Sequence, residues 1–199
     1  MMALSPILKL TRVKRMIVST YQAVSGAGMK GMEELERQIR DPSAASEVFP
    51  FPIAFNVIPQ IGDFDENGIS AEEWKMQSEG RRILHDGALQ VSCTCVRVPV
   101  YRCHSESIYV ETETEVSLDA IRQAAEECPG LVLNEAPYPT PKECTDSDAV
   151  VIGRLRQDGA CKQGLHLWCC CDQLRKGAAT NAVQIGEWAW KNGLLKKGV

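Results

Sequence analysis

Three glycines, Gly26, Gly28 and Gly31, stand in "VSGAGMKGMEEL" with the spacing G-x-G-x-x-G. Glycines so spaced can turn the backbone tightly and present free N–H groups to a pyrophosphate at a helix N-terminus. A dinucleotide fingerprint also needs its first glycine at the end of a strand and an acidic residue about 20 positions on. Here four residues, "QAVS", separate the β-branched run from Gly26, and the later position falls in "FPFPIAF", which has no acid. Two other readings stay open. The glycines serve close packing at a helix start, or the loop faces a ligand held mainly by another domain.

The other chemistry-bearing residues are thiols and a few charged side chains. Nine cysteines occur, at 93, 95, 103, 128, 144, 161, 169, 170 and 171. "CTC" and "CCC" lack the C-x-x-C spacing of zinc sites, so no metal is expected, and in strands such thiols pack as small hydrophobes. Glu72 and Lys75 lie three apart on a helical pattern, hence on one face. Of the histidines, His85 looks like a helix-end residue and His166 a strand residue, and His104 lies in "RCHSE".

The elements that must position these residues follow from pattern. "MMALSPILKL" reads as a helix and "VKRMIVSTY" as a strand. "AGMKGMEELERQIR" is a helix stopped by Asp41-Pro42. Residues 42–69 carry four prolines and read as extended chain with turns. Ser70 and Glu73 form a capping box that opens a helix, "SAEEWKMQSEGRRILH". "LQVSCTCVRVPVY" and "SESIYVETE" are strands, "SLDAIRQAAEE" a helix, and "LVLNE", "AVVIGRLRQ" and "GLHLWCCC" further strands. "RKGAATNAVQIGEWAWKNGLL" closes the chain as a long helix. Strands broken by helices without strict βαβ alternation predict an α+β fold, with a mostly antiparallel or mixed sheet and helices on one face. At 199 residues and 44% apolar the chain can build one such core.

A net charge of −4 leaves no electrostatic footprint for nucleic acid. No apolar run approaches the ~20 residues that cross a bilayer. The start is apolar before it is basic, the reverse of a secretory signal, and the odd cysteine count fits reduced thiols, so a cytoplasmic protein is expected.

Extended leftward, the glycine stretch becomes "VSTYQAVSGAG". Together with "IAFNVIPQIG", "DENGISAEEWKMQSEGRRIL", "CTCVRVPVYRCHSESIYVE", "PYPTP", "VIGRLRQD" and "CDQLRKGAATNAVQI", in that order, it resembles aspartate-semialdehyde dehydrogenases over almost the whole chain. The resemblance implies a fold like the C-terminal domain of glyceraldehyde-3-phosphate dehydrogenase-like enzymes. It implies NADPH-dependent reduction of aspartyl phosphate to aspartate semialdehyde with release of phosphate, on the route to lysine, threonine, methionine and isoleucine. It implies a homodimer, or a tetramer built from it. The family places its nucleophilic cysteine in an N-C-S/T motif after an N-terminal Rossmann domain. This sequence has neither. Residues 1–199 are therefore expected to be the catalytic and dimerisation domain alone, inactive without the NADP domain, with residues 173–199 a closing helix that would pack on that domain.

By the same resemblance His104 is the acid/base, its imidazole titrating near neutral pH so that it can take the thiol proton and return it. Arg97 holds the substrate α-carboxylate, with Arg102 the nearby competitor. Gln22 contacts substrate, Glu72 takes the substrate amine and Lys75 helps bind phosphate. Ser25, Gly26 and Gln173 contact NADP. On residue type alone Arg97 reads rather as a solvated edge-strand arginine, since isolated arginines are mostly solvated, and only the motif reverses that reading. Arg97 and His104 are seven apart, so one straight strand would set them on opposite faces. Pro99 between them predicts a bend that brings both to one site. A non-catalytic dimerisation module and a related acyl-phosphate reductase, for glyceraldehyde 3-phosphate or N-acetylglutamyl phosphate, are the competing readings.

Overall fold

The computed structural model describes residues 1–195. The chain opens with a short turn, Met2–Leu4, running into α1 (Ser5–Leu8), and then β1 (Val13–Gln22). A tight turn over Val24–Ala27 leads to α2 (Gly28–Arg40), which stops at Asp41 as expected. The proline-bearing stretch has no strand or helix of its own. It delivers the chain to α3 (Ala71–Ile83), β2 (Gln90–Arg97) and β3 (His104–Thr112). Then come α4 (Leu118–Glu126), β4 (Leu131–Leu133), α5 (Pro141–Cys144), β5 (Val150–Gln157) and β6 (Gly164–Cys171). One wide helical turn, Arg175–Ala179, leads into α6 (Thr180–Lys191). The sequence gives no sign of α5, whose four residues are too few to carry a period.

The six strands form one sheet in the order β2-β1-β3-β6-β5-β4. The β1/β2 and β4/β5 pairs are parallel and the other three antiparallel, so the sheet is mixed and the fold α+β. A parallel pair needs a crossover. Between β1 and β2 that crossover is the whole stretch holding α2, the proline-bearing loop and α3.

Alternation along β1 decides the faces. Met16, Val18, Thr20 and Gln22 are buried, while Ile17 and Tyr21 are exposed. The inward face packs against Leu4 and Ile7 of the first turns and Ile121 and Ala125 of α4, making the main core. The outward face is left open at Ile17 and Tyr21, while α5 covers its far end, where Cys144 packs against Cys170 of β6. On this face Tyr21 meets Trp168 at 5.5 Å between ring centroids, and Tyr109 lies beside His166.

The capping box at α3 forms as the sequence predicts. Ser70 N–H donates to Glu73 Oε2 at 2.9 Å, and Glu73 N–H to Ser70 Oγ at 3.4 Å. Glu73 Oε1 also accepts from Cys95 N–H at 3.0 Å, which pins α3 to β2. The closing helix is different. No residue of α6 is buried, and Trp188 and Trp190 are 59% and 55% exposed. Residues 196–199 of that expected helix lie outside the described residues.

Candidate functional site

Three strand ends meet at one edge of the sheet. β1 ends at Gln22, β2 at Arg97, and β3 begins at His104. Gln22 pairs in register with Arg97, and Tyr21 with Ser105, which sets His104 beside Gln22 in the same phase. Directly paired residues share a face, so all three side chains rise on the helix-covered side. Residues 98–103 carry the chain from β2 over the end of β1 to β3. They are tied there by Val98 N–H to Gln22 O (3.0 Å), Val24 N–H to Val100 O (2.8 Å) and Ser25 N–H to Tyr101 O (3.1 Å). The expected bend is thus a crossing: Arg97 and His104 sit on two strands that flank a third.

Arg97 is only 6% exposed, so it is not a solvated arginine. Its Nη1 donates to Ala23 O at 2.7 Å, and its guanidinium lies over the Phe49 ring, 5.8 Å from the centroid. Burial lowers its pKa, and the charge of Glu72 opposes that shift; an arginine still stays charged. His104 Nδ1 accepts from Ala23 N–H at 3.0 Å. The backbone of one residue therefore serves both side chains, the N–H of Ala23 holding the imidazole and its carbonyl holding the guanidinium. Gly26 shows how closely they converge. A Cβ there would lie 2.6 Å from Arg97 Nη1 and 3.2 Å from both Cε1 and Nε2 of His104.

The imidazole is neutral. Burial first, and the Arg97 charge second, bring its pKa down to about 3, against a small upward pull from Asp172. The Ala23 N–H adds to this, because a proton arriving at Nδ1 must break that bond. The hydrogen bond assigns the ring proton to Nε2. Titration near neutral pH, expected from residue type, does not hold for His104 in this chain.

Gln22 is the last residue of β1 rather than a loop residue, and it is buried. Its Oε1 accepts from Thr20 Oγ1 at 3.0 Å and its Nε2 donates to Glu72 Oε1 at 3.4 Å. Glu72 Oε2 lies 3.5 Å from Lys75 Nζ. Lys75 is 55% exposed and reaches the site only through Glu72. Thr20, Gln22, Glu72, Met76, His104 and Met1 line a cavity of about 200 Å³.

Ser25 and Gln173 meet each other. Gln173 Nε2 donates to Ser25 Oγ, and its Oε1 accepts from Cys103 N–H at 3.0 Å. Gly26 is exposed, and its missing side chain leaves the Arg97–His104 edge open. Gly28 adopts φ 78°, the left-handed turn into α2.

Arg102 is separated from this edge. It is held by Asp172 and by Asp146, at 3.0 Å from the latter. All nine thiols are free, and no cysteine lines the cavity just described. Burial pushes Cys171 up to about 12, the behaviour of a core thiol rather than a nucleophile. Among the described residues no group of three His, Cys, Asp or Glu side chains is placed to hold a metal ion. None of their helices is long and apolar enough to cross a membrane.

Sequence reasoning missed Ala23 and Phe49. Ala23 acts through its peptide groups alone, which no side-chain pattern reveals. Phe49 lies among prolines where no period exists to mark it as buried.

Residues 4–176 match the family described as semialdehyde dehydrogenase, dimerisation domain. An aspartate-semialdehyde dehydrogenase of Aquifex aeolicus is 46% identical over 97% of the chain. The chain spans 59% of that relative's length. The Vibrio cholerae aspartate semialdehyde dehydrogenase II, solved in complex with ASA, superposes with a TM-score of 0.93 at 40% identity, covering 95% of this chain and 58% of that one. A Candida albicans aspartate semialdehyde dehydrogenase solved with NADP gives 0.72 at 21% identity, covering 96% and 55%, and speaks to the fold alone.

Proposed function

The chain belongs to the aspartate-semialdehyde dehydrogenase family and corresponds to its dimerisation domain, and on that premise we propose that it carries the substrate-reading half of an NADP-dependent enzyme interconverting L-aspartyl 4-phosphate and L-aspartate 4-semialdehyde plus phosphate. The observation that carries this is the convergence of the Arg97 guanidinium and the His104 imidazole over Gly26. A buried, charge-retaining fork is suited to a carboxylate, which it binds through parallel hydrogen bonds. A neutral imidazole beside it, with its proton on Nε2, is suited to donate a hydrogen bond from that N–H to an oxygen gaining negative charge at the acyl carbon.

The neighbouring side chains fit the rest of such a substrate. Glu72, already turned toward Gln22, offers an anionic partner to an ammonium group, and Gln22 offers an amide between the two charged ends. Lys75 is exposed and free to swing toward a phosphate arriving from outside the cavity. The nucleophilic cysteine and the main dinucleotide site we assign to sequence beyond these 199 residues, so the chain alone is inactive in this account. NADP would supply the hydride when bound. Ser25, Gly26 and Gln173 would touch it.

Two uncovered surfaces support the assembly expected of such an enzyme. The outward sheet face, with Ile17 at 44% and Tyr21 at 39% exposure, offers apolar area for a second copy. The apolar side chains of α6 offer a docking strip for the dinucleotide domain.

The test is a fusion of this chain to the part of the Aquifex aeolicus relative that it does not match. The fusion should oxidise aspartate semialdehyde with NADP in a phosphate-dependent reaction. A fusion that prefers N-acetylglutamate semialdehyde or glyceraldehyde 3-phosphate would move the chain to another acyl-phosphate reductase. A folded fusion inactive on all three would leave only a dimerisation module.

A further inference from the structure

We propose that Glu34 and Gln38, buried on α2 and distant in sequence from every residue named above as reading substrate, are positioning residues that aim the Arg97 guanidinium by holding the 46–54 loop. The proposal rests on the assignment of Arg97 as the carboxylate-reading residue.

A loop with no ladder of its own must still find partners for its N–H groups. In this loop the partners are two side chains one helical turn apart. Glu34 is wholly buried, a place where a carboxylate is tolerated only with several donors around it. Its Oε2 accepts from Glu47 N–H at 2.8 Å and Val48 N–H at 2.6 Å, and its Oε1 from Phe49 N–H at 3.4 Å. Gln38 extends the same row. Its Oε1 accepts from Ile53 N–H at 2.8 Å and Ala54 N–H at 3.2 Å, while its Nε2 donates to Glu34 Oε1 and to Ser46 Oγ. Five backbone donors between 47 and 54 thus end on two side chains of α2.

The consequence reaches Arg97 by a short route. Glu34 takes the N–H of Phe49 itself, and the Phe49 ring lies under the Arg97 guanidinium. The same ring closes on α2 at Gly31, where a Cβ would come within 3.1 Å of Phe49 Cζ. Farther along, Ile58 exchanges both backbone hydrogen bonds with Arg97, at 2.8 and 3.0 Å. Ile58, Ile53, Phe49, Leu35 and Val24 form a small core of their own, separate from the main one. The guanidinium therefore has one fixed hydrogen bond, to Ala23 O, and one flat support, the ring. Removing the support leaves it free to pivot about the bond. Glutamine at 34 keeps the volume but can accept at one oxygen only, and turns an NH₂ group toward donors.

The readout is the Arg97 Nε–Hε cross-peak in nitrogen-15 correlated NMR spectra of this chain, assigned with Arg97→Lys. The ring current of Phe49 displaces it, and Phe49→Leu defines its position without the ring. In Glu34→Gln the peak should move most of the way to the Phe49→Leu position in a protein that retains its folded amide spectrum. A folded Glu34→Gln with the peak at its wild-type position overturns the proposal, as does a Phe49→Leu variant in which the peak does not move. Should Glu34→Gln fail to fold, Gln38→Met decides. It removes the acceptor for Ile53 and Ala54, leaves Glu34 in place, and must shift the peak in the same direction. Titration of the wild type with L-aspartate separates the two claims. A shift at Arg97 supports its carboxylate role. No shift removes that role while the effect of Glu34 on the guanidinium still stands or falls by the variants.

Discussion

Gly26→Ala is the smallest perturbation that reaches both principal side chains at once. The backbone at 26 is not in the left-handed region, so alanine brings no conformational penalty, and replacing glycine lowers the entropy of the unfolded chain, worth about 0.4–1 kcal/mol in favour of the fold. Against that, the new methyl would lie 2.6 Å from Arg97 Nη1 where 3.4–4 Å is ordinary contact, and 3.2 Å from two ring atoms of His104. The guanidinium must retreat by the better part of an ångström. It is buried and bound to Ala23 O at 2.7 Å, so the retreat breaks a charge-assisted bond. Such a bond is worth ~1.5–3 kcal/mol, and overpacking of this kind costs ~1–3 kcal/mol where no relief exists. The two costs overlap, because the same movement relieves one and causes the other. A net loss of about 0.5–2.5 kcal/mol follows, or roughly 1–10 °C in Tm for a chain of this size. A second effect has the opposite character. The Arg97 charge is one of the causes that hold the His104 pKa near 3, so its withdrawal lets that pKa rise. Thermal unfolding gives the first quantity. The pH titration of the His104 Cε1–H resonance, assigned with His104→Gln, gives the second. Gly87→Ala, where the new methyl meets open space, is the control that should change neither. A Gly26→Ala protein with unchanged Tm and unchanged His104 titration would refute the convergence of the two side chains.

Other expectations concern acid stability, the α3 cap and the closing helix. His104 has a folded pKa of about 3 against 6.5 for a free imidazole, so below pH 6.5 the unfolded chain binds a proton that the folded chain refuses. Stability is full above 6.5 and falls toward pH 3, by at most ~1.4 kcal/mol per pH unit from this group; His104→Gln should flatten that slope in urea unfolding at stepped pH, and an unchanged slope would contradict the buried neutral ring. Ser70→Ala removes one half of the capping box and should cost ~1 kcal/mol in urea unfolding, whereas no loss would show that the Glu73 bonds to Ser70 N–H and Cys95 N–H suffice. Trp188→Ser with Trp190→Ser should alter stability by no more than ~0.5 kcal/mol, since both rings are more than half exposed; a large loss would mean that α6 packs on this domain.

Much of the fold is legible in the sequence because local signals and tertiary structure agree. The capping box at Ser70 and Glu73, the stop at Asp41-Pro42 and the β-branched run of β1 each predict an element that forms. What is not legible is adjacency. Arg97 and His104 lie on strands consecutive in sequence, which suggests a hairpin, yet β1 sits between them. Only the crossing of residues 98–103 over the end of β1 makes them neighbours. Arg102 has the same residue type and the same neighbourhood in sequence as Arg97, and only packing tells them apart: Arg97 is buried against Ala23 and Phe49, while Arg102 is tied to Asp172 and Asp146. Residue type placed the His104 titration near neutral, because burial and the Arg97 charge are properties of the packed site. Glu34 and Gln38 look like the polar face of an amphipathic helix. Nothing in the sequence marks them as partners for a loop that begins eight residues later.

The central claim is that Arg97 and His104 divide the work, one holding the substrate and the other serving the bond change. Steady-state kinetics of Arg97→Leu and His104→Gln in the active fusion tests it most directly. Loss of the fork should raise KM sharply while leaving kcat nearer the wild-type value, and loss of the imidazole should lower kcat with little change in KM. If the two variants shift the same parameter by the same factor, or leave both parameters untouched, the division of roles at this sheet edge is wrong.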